Sequence, residues 1–268
     1  MERIKCDMQK NKTLKILAVG NSFSEDSVQY LYQIFSETGH EKDNDDIVIG
    51  NLVVGGCSLD MHVGFALENT PVYLYTKFSK ENKGEMAIVS ANATLNYGIL
   101  DEDWDIITLQ QRSGYSGDKE TYSPYLDMLI DYINKHKTNK NASLAWNLTW
   151  AYDEDSAHPD FARYKNNQAE MYNAILQTVQ DVIVPNKNIS FVIPTGIAVQ
   201  HARNRHNNLT RDGFHLSIPF GRYIAALTWF CTITNKEIND LKTGILTDEQ
   251  MEIAKKSVEK AIINNIGR

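Results

Sequence analysis

Residues 14–26 read LKILAVGNSFSED, and this stretch sets the expectation for the rest of the chain. The apolar run that ends at Gly20 is typical of a buried strand, and a tight turn leads from it to acidic residues where a helix begins. The first backbone N–H groups of such a helix point at whatever lies on the turn. Ser22 and Ser24 can therefore be helix caps, the usual role of serine here, or one of them can be an exposed reactive hydroxyl.

Length and charge limit the classes of protein. The chain has 268 residues, 42% of them hydrophobic, which is enough for one large α/β domain or two small ones. The net charge of −7 argues against nucleic acid or an anionic membrane as the main partner. Because no linker, internal repeat or low-complexity tract divides the sequence, we predict a single domain over residues 1–268.

Cysteine and histidine spacing gives no sign of a metal or a cofactor. Cys6, Cys57 and Cys231 are widely spaced and lack a CxxC pattern, so neither a disulfide framework nor a zinc site is predicted. His201 and His206 are five residues apart rather than four, which disfavours two ligands on one helix face. No apolar run approaches the ~20 residues that span a membrane. As written the sequence lacks an export signal and predicts a cytoplasmic protein, or an exported one if a signal was removed.

Apolar runs alternate with amphipathic patterns along most of the chain. Runs typical of strands occur at residues 14–20, 47–54, 104–111, 143–152 and 189–193. Helical spacing occurs at residues 25–38, 122–137, 161–184, 219–231 and 248–263. A β-hairpin with its turn at 82–84 is predicted over residues 70–96, beside the sheet. The alternation predicts an α/β fold with a parallel sheet of about five strands and helices on both faces.

Small and polar residues stand where these strands end. They are Ser22, Gly56, Gln110 with Gln111, Asn147 to Trp150, and Thr195. In an open parallel sheet a ligand binds outside the carboxyl ends of the strands, so we expect these residues to share one site. The aromatic residues that end the fourth strand, Trp146, Trp150 and Tyr152, either stack on a sugar there or pack in the core.

A second polar motif lies near the end of the predicted core. Residues 211–216 read RDGFHL, which places Asp212 three residues before His215. Taken alone, the pair could equally be a loop turn and a surface histidine. Together with a serine hydroxyl, however, an imidazole and a carboxylate make an acyl-transfer triad, in which histidine deprotonates serine and the carboxylate orients the imidazole.

This combination resembles a known superfamily, the SGNH (GDSL-like) hydrolases. GNSF around Ser22 is similar to the first block of that superfamily, VVGGCS to its second-block glycine, and RDGFHL to its final DxxH block. The segments GNSFS, GGCSLDMH, LQQRSG, PTGIAVQ and RDGFHL are similar to those of an uncharacterised, mainly bacterial branch of this superfamily. The resemblance covers about residues 14–231 and implies a flavodoxin-like three-layer α/β/α sandwich.

The resemblance also implies a role for each matching residue. Ser22 would be the nucleophile, His215 the general base and Asp212 its orienting acid. The backbone N–H groups of Ser22 and Gly56 would form an oxyanion hole with a side chain from the third block. That block departs from the usual Gly-x-Asn-Asp, because LQQRSG stands there.

A glutamine amide can donate the same hydrogen bond as asparagine with one more methylene of reach, so Gln110 or Gln111 is the substitute donor. Alternation along a regular strand lets only one of them face the site, and we favour Gln111. Asn21, His62 and Trp150 are further candidates for substrate contact. For His62, the alternative is a surface position at the start of a helix.

The resulting hypothesis is a metal-independent serine esterase that removes acyl groups, acetyl foremost, from a carbohydrate or similar small polar ester. No cofactor is expected, and the sequence gives no oligomeric state. An esterase or thioesterase of non-sugar substrates fits the same residues. A non-catalytic glycan- or ligand-binding module is the alternative from another class, because the usual third block is absent. A nucleotide binder is disfavoured because no glycine-rich phosphate loop follows the first strand.

Overall fold

The computed structural model describes residues 13–38, 46–206, 208–236, 238, 241 and 243–266, so Cys6 lies outside the described residues. Within these ranges a sheet of seven strands forms the centre of the molecule, in the order β4-β3-β2-β1-β5-β6-β7. The strands are β1 (Leu14–Gly20), β2 (Ile47–Val53), β3 (Tyr73–Phe78), β4 (Ala87–Ala93), β5 (Ile106–Leu109), β6 (Ser143–Asn147) and β7 (Phe191–Ile193).

Five of these strands, β2, β1, β5, β6 and β7, pair in parallel. Their order is the flavodoxin-like 2-1-3-4-5 order of doubly wound sheets. All seven residues of β2 are buried, as expected for a strand covered on both faces. Because the strands run in the same direction, the turns after Gly20, Val53 and Leu109 meet at one edge, and the α/β fold class is confirmed.

The sheet has seven strands rather than the predicted five, because the hairpin joins it. β3 pairs antiparallel with β2 from Val53↔Leu74 to Ile49↔Phe78, and β4 pairs antiparallel with β3. The turn between them holds Lys83 and Gly84 at positive φ. The hairpin therefore extends the parallel core at its β2 edge instead of standing beside it.

Helices cover the sheet in two groups. They are α1 (Ser22–Val28), α2 (Leu31–Glu37), α3 (Leu59–Glu68), α4 (Leu95–Leu100), α5 (Tyr125–His136), α6 (Gln168–Thr178), α7 (Thr195–Arg203), α8 (Phe220–Thr234) and α9 (Asp248–Ile263). α8 contacts α1, α2, α7 and α9, while α3, α4 and α5 contact one another. In the described part of the chain, no helix combines the length and apolar character needed to cross a membrane.

Two predicted helices are divided. The helix expected at 25–38 begins earlier, at Ser22, and is split into α1 and α2 by a turn at residues 29–30. The helix expected at 161–184 is a 3₁₀ helix (Pro159–Tyr164), then α6, then a π-helical turn (Val179–Ile183). Lys165 and Asn166 adopt positive φ and end the first piece, and the Asn167 side chain caps the second. The predicted last helix, 248–263, matches α9, which begins with a Thr247–Gln250 capping box.

Candidate active site

Ser22 is the first residue of α1, directly after the turn that ends β1. Asn21 is the N-cap of this helix, and its Oδ1 accepts a hydrogen bond from the Phe23 backbone N–H at 3.0 Å. Ser24 is buried, and its hydroxyl lies 2.8 Å from the Asn21 carbonyl oxygen. The capping role expected of a serine is thus filled by Asn21, which leaves the Ser22 hydroxyl available for other contacts.

The structure brings Ser22, His215 and Asp212 together. His215 Nε2 lies 2.9 Å from Ser22 Oγ, and His215 Nδ1 lies 2.7 Å from Asp212 Oδ2. The other carboxylate oxygen, Asp212 Oδ1, accepts hydrogen bonds from the backbone N–H groups of His215 at 2.8 Å and Phe214 at 3.2 Å. The contacts form a continuous hydroxyl–imidazole–carboxylate line, although Ser22 and His215 are 193 positions apart in the sequence.

The surroundings of Asp212 keep it ionised. Burial, the largest single effect, raises the pKa of this carboxyl, but the hydrogen bonds from the His215 side chain and backbone, the charge of His215 and the Phe214 N–H together lower it by more, so that the pKa lies below its usual value. A carboxylate at this position accepts a hydrogen bond from Nδ1–H of His215, which fixes the proton on Nδ1 and leaves the Nε2 lone pair directed at Ser22 Oγ. The line of contacts can therefore remove the hydroxyl proton of Ser22.

Trp150 supports this arrangement from inside the core. It is fully buried, its ring stacks on Phe23 at 4.0 Å between centroids, and its Nε1 donates to the Phe214 carbonyl oxygen at 2.7 Å. It thus connects α1 to the loop of His215. We expected Trp150 to be a candidate substrate contact, and the structure places it behind the site instead. Trp146 and Tyr152 are also buried, so the aromatic residues in β6 and directly after it, where the predicted strand 143–152 ends early at Asn147, are part of the core.

Gly56 lies in the turn after β2, where it is exposed and adopts a φ of +63°. This left-handed conformation is one that glycine accepts without strain. Asn21 Nδ2 donates to the Cys57 carbonyl oxygen at 3.0 Å, which ties the Gly56 turn to the Ser22 turn. Among the described residues, neither the Ser22 nor the Gly56 backbone N–H has a hydrogen-bond acceptor. Two unpaired donors thus stand at neighbouring strand ends.

Gln110 takes part in a chain of buried side chains that links four strand ends. Its Nε2 donates to Asn21 Oδ1 at 2.9 Å, and its Oε1 accepts from Asn147 Nδ2 at 2.9 Å. Asn147 Oδ1 in turn accepts from Thr195 Oγ1 at 2.6 Å. The strand-end position of Asn147 and Thr195 was visible in the sequence, but nothing there indicated that they hold Gln110.

Gln111 faces away from the nucleophile turn. Its Oε1 accepts from the backbone N–H groups of Leu59 at 3.0 Å and Arg112 at 2.8 Å, and its Nε2 donates to Thr121. It therefore fixes the start of α3. Of the two glutamines, Gln110 and not the favoured Gln111 is the one that contacts the turn carrying Ser22.

His62 lies on the buried face of α3, which corrects the expectation of a surface histidine. Its side chain is buried, its Nδ1 lies 2.8 Å from Tyr73 Oη, and its ring stacks on that of Tyr73. Its Nε2 is buried without a hydrogen-bond partner among the described residues. α3 packs against the hairpin edge of the sheet, so the face that carries His62 is not at the surface. Burial lowers the pKa of His62 to about 4, against a smaller opposing effect of Asp60.

This shift predicts an acid-sensitive stability. The unfolded chain binds a proton at His62 near pH 6.5, while the folded chain does so only near pH 4. The stability is thus fully present above pH 6.5, and about 3 kcal/mol is lost as the pH falls through this window. We expect His62→Gln to remove most of that pH dependence in urea unfolding at pH 7, 5.5 and 4. His136→Gln, on a partly exposed residue, should keep the parent's dependence; equal slopes in the parent and His62→Gln would contradict the prediction.

In the ranges that the structure describes, no group of three or more His, Cys, Asp or Glu side chains is arranged to hold a metal ion. The site consists of the hydroxyl, imidazole and carboxylate together with backbone and amide donors. These groups can carry out nucleophilic attack and proton transfer, the steps of acyl transfer.

The chain is similar to several solved structures. A DUF4886 family protein from Bacteroides uniformis is 34% identical, with a TM-score of 0.87 over 94% of this chain and 96% of that chain. An acetyl xylan esterase, AlAXEase, is 15% identical, with a TM-score of 0.48 over 81% of this chain and 98% of that chain. A catalytic mutant of Axe2, an acetylxylan esterase from Geobacillus stearothermophilus, is 11% identical, with a TM-score of 0.48 over 84% and 96%.

No protein of curated function matches the chain in sequence. The family model described as "Domain of unknown function (DUF4886)" matches residues 15–261. This match covers most of the chain and agrees with the similarity to the Bacteroides uniformis protein. The chain therefore belongs to the DUF4886 family.

Proposed function

We propose that the protein is a serine esterase of the SGNH type that hydrolyses acyl esters with Ser22, His215 and Asp212. The observation that carries the proposal is the pair of contacts at His215, 2.9 Å from Nε2 to Ser22 Oγ and 2.7 Å from Nδ1 to Asp212 Oδ2. Both distances lie in the range required between a nucleophile, its base and the group that orients the base.

The reaction proceeds in two halves. His215 Nε2 takes the hydroxyl proton as Ser22 Oγ attacks the ester carbonyl carbon, and the proton then passes to the departing alcohol oxygen. The C–O bond of the ester breaks and an acyl-Ser22 ester remains. A water molecule then gives its proton to His215 and attacks the acyl carbon, which releases the carboxylic acid and returns the proton to Ser22 Oγ.

The oxyanion of each tetrahedral intermediate needs hydrogen-bond donors. We assign this role to the backbone N–H groups of Ser22 and Gly56, which have no acceptor among the described residues. The side-chain candidate is Gln110, because its Nε2 contacts the nucleophile turn through Asn21, whereas the partners of Gln111 are Leu59, Arg112 and Thr121, away from that turn.

The classes of acyl group and alcohol are inferred from the motifs and from the rim of the site. The similarity of GNSF, VVGGCS and RDGFHL to SGNH hydrolase blocks supports small acyl esters, with acetyl esters of carbohydrates as the first class to test. The half-exposed rings of His158 and Phe214 meet edge to face, 4.7 Å between centroids, next to His215, which gives the rim an aromatic surface on which a sugar can pack.

The test is turnover together with covalent labelling. We expect the protein to hydrolyse a chromogenic acetate ester and to release acetate from acetylated oligosaccharides. A fluorophosphonate should label it once, and mass spectrometry should place the label at Ser22 and not at the buried Ser24. Absence of turnover on both kinds of ester, with absence of labelling, would exclude the esterase and favour a non-catalytic binding module.

The two glutamines can be separated by matched substitutions. Gln110→Leu is expected to lower kcat by about 10²- to 10³-fold, because it removes an oxyanion donor and the hydrogen bond to Asn21. Gln111→Leu should lower the melting temperature, since two backbone N–H groups lose their acceptor, but change kcat by less than about tenfold. A larger loss of kcat in Gln111→Leu would return the donor role to Gln111.

A further inference from the structure

Asp26 is a buried carboxylate on the same helix as Ser22. It lies four residues after Ser22 in α1, about one helical turn away, and its side chain has no exposed surface. Its Oδ2 accepts a hydrogen bond from the Leu216 backbone N–H at 2.7 Å. Leu216 directly follows His215, so α1 holds the base-bearing loop at the residue next to the base.

Two arginines complete this contact. Arg222 of α8 places Nη2 2.5 Å from Asp26 Oδ1, and Arg211 places Nη1 3.3 Å from the same oxygen. Arg211 Nη1 also donates to the Leu216 carbonyl oxygen at 2.7 Å. The backbone of Leu216 is therefore held on both sides, by Asp26 at its N–H and by Arg211 at its C=O.

Burying the charged groups of this cluster costs free energy. Burial raises the pKa of the Asp26 carboxyl, and Arg222, the Leu216 N–H, Arg211 and, to the smallest extent, the charge of His215 act against that effect. A buried ion pair is often no more stabilising than apolar residues of the same volume, so stability alone gives little reason for it. What it does provide is a fixed geometry between α1, α8 and the loop of residues 210–216.

We propose that Asp26 is a positioning residue that sets the distance between Ser22 Oγ and His215 Nε2. Ser22 and Asp26 are both part of α1, so a loop held by Asp26 is placed relative to the nucleophile itself. Asp26 touches neither the Ser22 hydroxyl nor the His215 ring among the described contacts, and it acts through the Leu216 backbone. The inference rests on the proposed esterase function.

Asp26→Asn tests the proposal, because asparagine has only one acceptor oxygen: when that oxygen accepts from the two arginines, its NH₂ group faces the Leu216 N–H and the hydrogen bond that holds the loop is lost. We expect kcat on the chromogenic ester to fall by up to about 100-fold at unchanged KM, the loss that a displacement near 1 Å can cause. The rate of fluorophosphonate labelling should fall by the same factor. Asp101→Asn makes the same chemical change in the Lys77 ion pair at β3 and should leave kcat, KM and labelling unchanged.

A readout independent of activity completes the test. Backbone hydrogen exchange at Leu216 should be faster in Asp26→Asn than in the parent and unchanged in Asp101→Asn. If Asp26→Asn does not fold, Arg211→Met, at a partly exposed residue, is expected to show the same pattern with a loss of about tenfold. Unchanged kcat and unchanged exchange in the folded variant would overturn the proposal. A parent that neither turns over esters nor reacts with fluorophosphonate would overturn the esterase function, and the exchange experiment would still decide whether Asp26 holds the loop.

Discussion

Ser22→Ala is expected to lower kcat on a chromogenic acetate ester by about 10⁶-fold, to the residual rate that an oxyanion hole and binding provide without a nucleophile. The expectation follows from the one hydrogen bond that its hydroxyl makes within the described residues, to His215 Nε2, and from the fact that Asn21 rather than Ser22 caps α1. Labelling by a fluorophosphonate should disappear as well. Because the hydroxyl is not needed for the helix cap, the melting temperature should stay close to that of the parent.

Ser24→Ala is the matched control for this substitution. The Ser24 hydroxyl is buried and lies 2.9 Å from Asn51 Oδ1, so its loss should cost about 1 kcal/mol of stability while leaving kcat nearly unchanged. If Ser22→Ala kept the parent's rate, or if Ser24→Ala removed it, Ser22 would not be the nucleophile.

Asp212→Asn is expected to lower kcat by about 10⁴-fold, the effect of holding the base in the wrong tautomer. Asp212 Oδ1 accepts two backbone N–H groups, so an asparagine must place its amide oxygen at that position. Its NH₂ group then faces His215 Nδ1 and donates to it. The imidazole proton moves to Nε2, where it points at Ser22 Oγ and can no longer accept the hydroxyl proton.

The control and the pH dependence make this prediction specific. Asp155→Asn, at an exposed residue outside the triad contacts, should retain the parent's kcat. In the parent, the lowered pKa of Asp212 keeps its carboxylate ionised into more acidic solution, so its orienting role should persist there. Parent-like kcat in Asp212→Asn would exclude the orienting role.

The parts of the molecule that the sequence predicts well depend on local signals. The unit of β1, turn and α1 is encoded in 15 consecutive residues, and the Asp212 and His215 pair in four. The boundaries of α9 follow from its capping residues. Such features need no knowledge of distant partners, because adjacent residues provide both the pattern and its termination.

The features that sequence reasoning missed depend on distant contacts. Whether the hairpin stands apart or extends the sheet is decided by the open edge of β2, which no residue of the hairpin reveals. The burial of His62 follows from the packing of α3 on that same edge. The preference between Gln110 and Gln111 depends on Asn21 and Asn147, residues that are 89 and 37 positions away from Gln110.

The chain of side chains behind the nucleophile turn has a direction. Each member donates to the next: Thr195 to Asn147, Asn147 to Gln110, Gln110 to Asn21, and Asn21 to the Cys57 carbonyl. An amide in this series cannot exchange the positions of its oxygen and its NH₂ group by itself. Its NH₂ group would then face the donor of one neighbour, and its oxygen would face the acceptor of the other. The orientation of the Asn21 amide beside Ser22 is therefore set by Thr195, which follows β7 at the other end of the series. The effects of substitutions along the series on stability and activity should consequently not be additive.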